Sequence, residues 1–422
     1  MTPRVSEFFR KLEFYLLCTL LFVLPILESP KHVALVLYLV VWSCRHFSFD
    51  ALRRFRPDVI EFSLLVLIIT GIASTVANWP FPNGIRGLTD TLRLVLVFWC
   101  IYRAGYSESQ HRVLGMAIVA GVLVGLVVAV IEVSIGTRPL LELHSAGILT
   151  QSATYVGTAL ILTLGVVLVR WLPRSSTARW STPIALWITA LVTMAVALLA
   201  MASRGALLAA GVSALAIVAV VNRIRLWMMS ALAAGLLVLT ALVLFNADLG
   251  GLFLKSVKNR YDSERFPVSD LGRHQHWRIA LAQVDQGNTL WLGVGPRNFR
   301  SIDVAQLKFD PPLGASEGKL NHAHNLFLTK LAEEGLLGLG AFVLFLAVAA
   351  RALWMAWRSG SGYDWKWFAG FGALTVPVIA GSFNTPFFQE HALLAMAMLA
   401  IFLASRRRVR AKSTASKKSA TR

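Results

Sequence analysis

In a chain of 422 residues, 56% hydrophobic and only 15% charged, with a mean hydropathy of +0.63, there is too little polar surface to cover a water-soluble globule. A formal net charge of +19 would suggest nucleic acid as the partner of a soluble protein. Here, however, much of the Lys and Arg lies in short segments between apolar runs, where it orients membrane helices, so a polytopic membrane protein is the stronger reading and nucleic acid the weaker one.

Taken in order, Met1 to Lys11 is a short basic lead, and Glu13 to Leu27 is an apolar run broken by Pro25. No small-residue cleavage site follows, so the run reads as an uncleaved first helix rather than a signal peptide. Apolar runs then recur near His32 to Cys44, Ile60 to Ala77, Leu92 to Ala104, Val113 to Ile135, Ala153 to Leu172 and Pro183 to Ala202. Others lie near Gly205 to Val221, Leu226 to Ala247, Leu326 to Met355, Trp365 to Ser382 and His391 to Ala404. The pattern predicts an all-α fold of about twelve transmembrane helices, some shorter than the roughly 20 residues of a perpendicular span. The three cysteines, Cys18, Cys44 and Cys100, all fall inside apolar runs and imply neither a disulfide framework nor a thiolate metal site.

With a cytoplasmic N-terminus, the segments Arg45 to Arg56, Arg170 to Arg179, Asn222 to Arg225 and Arg351 to Lys366, and the tail after Ser405, all fall inside and are rich in Arg and Lys. Glu28 to Lys31 and Asn384 to Glu390 fall outside and are poor in them, so both ends are expected in the cytoplasm. The organisation read from this is helices 1–9 in residues 1–247, an external loop in 248–323 with amphipathic helix, helices 10–12 in 324–405, and a basic, disordered, lipid-attracted tail in 406–422. The loop carries Lys255, Lys258, Arg260, Arg265, Arg273, Arg278, Arg297, Arg300, Lys308 and Lys319. Long loops escape the charge rule, so this excess calls for another cause, and an anionic ligand at the outer interface is the simplest.

Several residues are candidates for that ligand. Arg204, in Met201-Ala202-Ser203-Arg204-Gly205, sits between two apolar runs with almost no loop; it either snorkels to headgroups or clamps a phosphate with its planar fork. Arg273 and Trp277 share a face of an amphipathic helix predicted over Leu271 to Gln286, either bracing a cation for a ligand or anchoring an interfacial helix. Trp291-Leu292-Gly293-Val294-Gly295-Pro296-Arg297-Asn298-Phe299 is a glycine-punctuated turn with no strand before it, so it reads as structural rather than as a nucleotide site. Asn321-His322-Ala323-His324-Asn325 stands at the entrance to the apolar run from Gly335 to Met355, where an imidazole serves as a general base, a metal ligand or a packing residue. The pairs His322-x-His324 and His274-x-His276, and Asp262-Ser263-Glu264, have no spacing that forces them onto one metal ion. Glu132 in the fifth span is either a helix-bonded polar residue or part of an ion path.

Ser203-Arg204-Gly205 after a span, Arg273-x-x-x-Trp277 and Leu292-Gly293-Val294-Gly295-Pro296 in a long external loop, then His324-Asn325-x9-Gly335-x-x-Gly338, in that succession, resemble the O-antigen ligase family. That family shares its membrane domain with O-antigen polymerases and bacterial protein O-oligosaccharyltransferases. The resemblance covers roughly Gly136 to Ser405 and implies a GT-C-like glycosyltransferase of the bacterial inner membrane with its active site facing the periplasm. It implies a glycan on undecaprenyl pyrophosphate as donor, a sugar hydroxyl of lipid A-core as acceptor, and no metal or other cofactor. By the family pattern His324 is the catalytic imidazole, and Arg204 and Arg273 bind the pyrophosphate; Arg265, His322 and Asn325 are weaker substrate-binding candidates.

The chemistry agrees with this expectation. A departing pyrophosphate gains negative charge that arginines can stabilise, and a neutral imidazole can take the proton of an attacking hydroxyl. A single displacement would invert the anomeric centre. A transporter would instead gather polar groups at the bilayer midplane and repeat between its halves, which this chain does not visibly do. A basic tail in place of an extra domain after the last span favours ligase over protein glycosylase, with polymerase the nearer rival.

Overall fold

The computed structural model describes residues 3–46, 57–80, 83–146, 149–171, 182–220, 265–286, 289–309, 321–359, 364–385 and 389–420. Among them the regular structure is helical, with no strand. The helices are α1 (Pro3–Val23), α2 (Glu28–His46), α3 (Val59–Ala77), α4 (Gly84–Ala104), α5 (Glu108–Ser134), α6 (Leu149–Trp171), α7 (Ile184–Ala200) and α8 (Arg204–Val220). They continue with α9 (Arg265–Val284), the single turn α10 (Thr289–Leu292), α11 (Leu326–Arg358), α12 (Trp365–Gly381) and α13 (Gln389–Ala420). The expected span Leu226 to Ala247 and the carboxylates Asp262 and Glu264 lie outside the described residues.

Among the described residues, four helices are long and apolar enough to cross a membrane: Val59–Ala77, Glu108–Ser134, Leu149–Arg170 and Leu326–Arg358, in addition to the shorter apolar helices Ile184–Ala200 and Arg204–Ala219. Fewer helices qualify on their own than the expected twelve, because α1, α2 and α4 are interrupted by charged residues and α12 has only 17. The tail also departs from expectation. α13 runs on through the basic stretch to Ala420, as Arg, Lys and Ala are good helix formers and extending an existing helix is easier than starting one.

The centre of the bundle is α6, whose apolar stretch is buried on nearly every side. It packs against α7, α8, α12 and α13. Some of its buried hydroxyls bond back to their own helix, Thr154 to the Thr150 carbonyl at 2.7 Å and Thr163 to that of Ala159 at 2.9 Å, so these two are buried with their donors satisfied. Small residues let α6 and α12 approach closely: Gly165 lies against Phe368, and Gly372 against Ile161. Away from the site, charge is buried in pairs. Glu13 accepts from Arg45 at 2.5 Å and from Tyr106 at 2.8 Å, Lys31 meets Glu390 at 2.6 Å, and Glu61 pairs with Arg103. Glu132, in the last turn of α5, bridges to Arg138 (3.1 Å) and His144 (2.6 Å).

The feature that positions the site is a break in α11. Gly335 takes φ 67 and ψ −167, so the helix is interrupted inside its run. The carbonyls released there are met by the glycine-punctuated turn: Val294 N–H donates to the Ala332 carbonyl at 3.0 Å, and Gly295 N–H to that of Glu333 at 2.7 Å. Ser74 of α3 donates to the Leu292 carbonyl at 2.5 Å and lies 3.1 Å from that of Glu333, while Asn78 donates to the Gly293 carbonyl at 3.1 Å. A Cβ at Gly335 would collide with the Trp291 backbone, and one at Gly293 with the Glu333 backbone. The structural role expected for this turn is the one observed.

Gly335→Ala should therefore destabilise the protein by about 2–4 kcal/mol, from left-handed strain and the backbone clash together. Gly340→Ala, five residues on and open to space, should be neutral or slightly stabilising. Thermal unfolding in detergent tests this; equal midpoints for the two variants would show that the break is not set by Gly335.

Candidate active site

α7 and α8 meet in the tight turn expected from the sequence. Met201 and Ala202 make it, with Ala202 in the left-handed region at φ 48, and Arg204 is the first residue of α8. A cation is disfavoured at a helix N-terminus, where unpaired N–H groups already concentrate positive potential. Arg204 is thus poorly placed to stabilise its own helix and well placed to strengthen an anion site.

The second cation arrives from α9. Residues three and four apart on a helix share a face, so Arg273, His276 and Trp277 project together. Arg204, Gly205 and Leu208 of α8, Arg273, His274 and Trp277 of α9, and Phe383 from the loop after α12 line one cavity of about 360 Å³, within the range of small-molecule sites. Two guanidiniums 69 residues apart in sequence thus share one chamber with aromatic walls.

His324 lies beside it. It takes φ 51, a conformation costly for a non-glycine residue, and is held there by its neighbours. Asn325 caps α11, its Oδ1 accepting from Phe327 N–H at 2.9 Å and Leu328 N–H at 3.0 Å, while its Nδ2 donates to the Ser382 carbonyl at 3.1 Å. Thr329 Oγ1 accepts from Ala323 N–H at 3.2 Å and donates to the Asn325 carbonyl at 2.7 Å. The His324 ring lies parallel to that of His276, with centroids 5.2 Å apart and planes at 7°, and 4.4 Å from that of His322. Burial pushes His324 down to about 3, with His322, His276 and Arg273 adding positive repulsion. Burial likewise pushes His322 down to about 4 and His276 below its usual range.

The structure therefore brings Arg204, Arg273, His322 and His324 to one region. Asn325 is adjacent, but both ends of its amide are engaged by backbone, so its observed part is to hold the loop. The side chain of Arg265, the first residue of α9, lies outside the described residues. Not all the loop cations serve a ligand: Arg297 pairs with Asp90 at 3.0 Å and Arg300 donates to Asn83 at 2.7 Å, joining the turn to α4. A second, tighter cavity of about 70 Å³ lies behind the break in α11, but its charges oppose one another, Asp90 with Arg297 and Lys330 with Glu334. Among the described residues no group of three or more His, Cys, Asp or Glu is arranged to hold a metal ion.

Sequence reasoning missed Asn384 and left His276 in an unresolved metal pair. Asn384, in the loop after α12, is 8% exposed and lies beside His322 and His324, close enough for its amide to favour their protonated forms. Its only signal in the sequence is a polar residue in a short loop on the expected outer side.

Apolar helices in this number define a multi-pass membrane protein, with two arginines in one chamber and an imidazole cluster beside it. Residues 189–343 form a stretch that matches the family model described as O-antigen ligase. It includes Arg204, Arg273 and His324; Asn384 lies beyond it. None of the curated proteins matches the chain.

The depressed imidazoles have a measurable consequence. Between about pH 4 and 6.5 an unfolded chain binds protons at His322 and His324 that the folded chain refuses. Stability is complete above about pH 6.5 and falls with pH, by up to about 1.4 kcal/mol per pH unit for each imidazole. The unfolding midpoint should drop between pH 7 and pH 5, and a His322→Gln/His324→Gln variant should drop less. Identical slopes in the two proteins would contradict the burial of these rings.

Proposed function

We propose that this protein is an O-antigen ligase, which transfers a glycan from undecaprenyl pyrophosphate to a sugar hydroxyl of lipid A-core. In this reading it is a GT-C-like enzyme of about twelve spans in the bacterial inner membrane, with both termini cytoplasmic and the site open to the periplasm. The observation that carries it is the shared cavity of Arg204 and Arg273, with His324 beside Arg273.

The acceptor oxygen attacks the anomeric carbon, forming the new glycosidic bond as the bond from that carbon to the phosphate oxygen breaks. The hydroxyl proton passes to His324, and the electron pair leaves on the diphosphate, whose growing charge is met by Arg204, Arg273 and the N-terminus of α8. One displacement inverts the anomeric centre. His324 is neutral at pH 7, the form a base requires, though burial makes it a weak one. A bound diphosphate offsets the repulsion from Arg273 and strengthens the base when donor is present.

Arg204→Ala, Arg273→Ala and His324→Ala should each lower transfer by about 100-fold or more while leaving the unfolding midpoint within a few degrees. Arg→Lys at either position should keep part of the activity, having lost the planar fork but not the charge. The assay gives the purified chain an undecaprenyl-pyrophosphate glycan with lipid A-core, a second donor molecule or an acceptor peptide, in separate reactions. Extension of the core alone supports the ligase; extension of the donor or the peptide instead makes it a polymerase or a protein O-oligosaccharyltransferase. Flux without product would make it a transporter.

A further inference from the structure

Around His324 three buried polar atoms have no hydrogen-bond partner among the described residues: His276 Nδ1, His322 Nε2 and Asn384 Nδ2. His276 is 6% and Asn384 8% exposed. An unmet buried donor or acceptor costs roughly 1–3 kcal/mol, so three about one ring are a concentrated cost that native structures seldom carry without a use. They come from separate elements: His276 from α9, His322 from the loop before α11, and Asn384 from the loop after α12. Each adjoins His324, His276 by parallel stacking, His322 by ring contact, and Asn384 as an amide beside the ring.

Their chemistry narrows what they bind. An amide N–H donates, and an imidazole nitrogen donates or accepts according to tautomer; none of the three carries a fixed charge when the rings are neutral. The cationic chamber of Arg204 and Arg273 is chemically different and suits an anion. A pyranose hydroxyl both donates and accepts, and neighbouring hydroxyls on one ring present several such groups at once.

Resting on the transfer reaction proposed above, we infer that His276, His322 and Asn384 form the subsite for the acceptor sugar. They hold the hydroxyls next to the attacking one and so aim that oxygen at the donor. His276 and Asn384 are positioning residues: they fix the acceptor and the plane of the His324 ring, while His324 takes the proton.

The test uses the full chain, with undecaprenyl-pyrophosphate-linked glycan as donor and lipid A-core as acceptor. His276→Phe keeps a ring to stack on His324 but removes the polar atoms, and Asn384→Ala removes the amide. Each should raise the acceptor KM about tenfold and leave the donor KM within about twofold, the loss expected for one buried hydrogen bond. Unchanged acceptor KM in both variants, or a rise in donor KM instead, would overturn the subsite and leave these atoms to water. If Asn384→Ala does not fold, Asn384→Ser and His276→Phe are read in the same way. A wild-type chain that extends no acceptor defeats the proposed function; a wild-type chain that extends the core while its variants keep their acceptor KM defeats only the subsite.

Discussion

The arrangement depends on one interruption of backbone hydrogen bonding, at Gly335 in α11. A membrane helix has no water to satisfy released carbonyls, so a break survives only where protein groups replace the missing bonds. Here Val294 and Gly295 supply N–H groups, and Ser74 adds a hydroxyl from α3. The same turn shares a small apolar core with the rest of the site: Val294 and Phe299 pack with Ile279 and Ala280 of α9 and with Ala323 and Ala332 on either side of the α11 cap. Fixing the break therefore fixes α9 against the His324 loop, and with it the spacing between the Arg273 face and the imidazole.

Charge follows the same division. At several polar positions among the described residues the chain neutralises itself, as Glu13 with Arg45, Glu61 with Arg103, and Lys31 with Glu390. Pairing keeps buried ions from being stranded and makes these clusters structural. Arg204 and Arg273 come together in one cavity. They line a chamber whose described walls are otherwise apolar, aromatic or histidine, and one of them begins a helix where a cation is unfavourable. That arrangement makes sense for a ligand that brings negative charge, and it places the imidazoles next to that charge.

Much of the helical plan was legible before any coordinates, since long apolar runs between basic segments leave few alternatives. So was the pairing of Arg204, Arg273 and His324, although it came from the order of motifs and not from any spacing that would force them together. The tail has a composition that resembles disorder, while its residues are good helix formers attached to an existing helix. Asn325 looked like a ligand-facing amide; a cap and a ligand contact use the same side chain, and only the partners tell them apart. Arg297 and Arg300 looked like further anion-binding cations until Asp90 and Asn83 of distant segments were found opposite them.

By itself the sequence determined the solvent: apolar periodicity and the placement of charge decide that these helices belong in a bilayer, because each residue's transfer energy is local. It also determined where the chain could break, since Gly293 and Gly335 tolerate dihedral angles and a close approach at that contact that a Cβ would not. Only the tertiary structure decided what faces what. His276 and Asn384 became neighbours of His324 through contacts between residues 48 and 60 positions from it, and such contacts depend on the packing of whole helices rather than on the identity of any one residue.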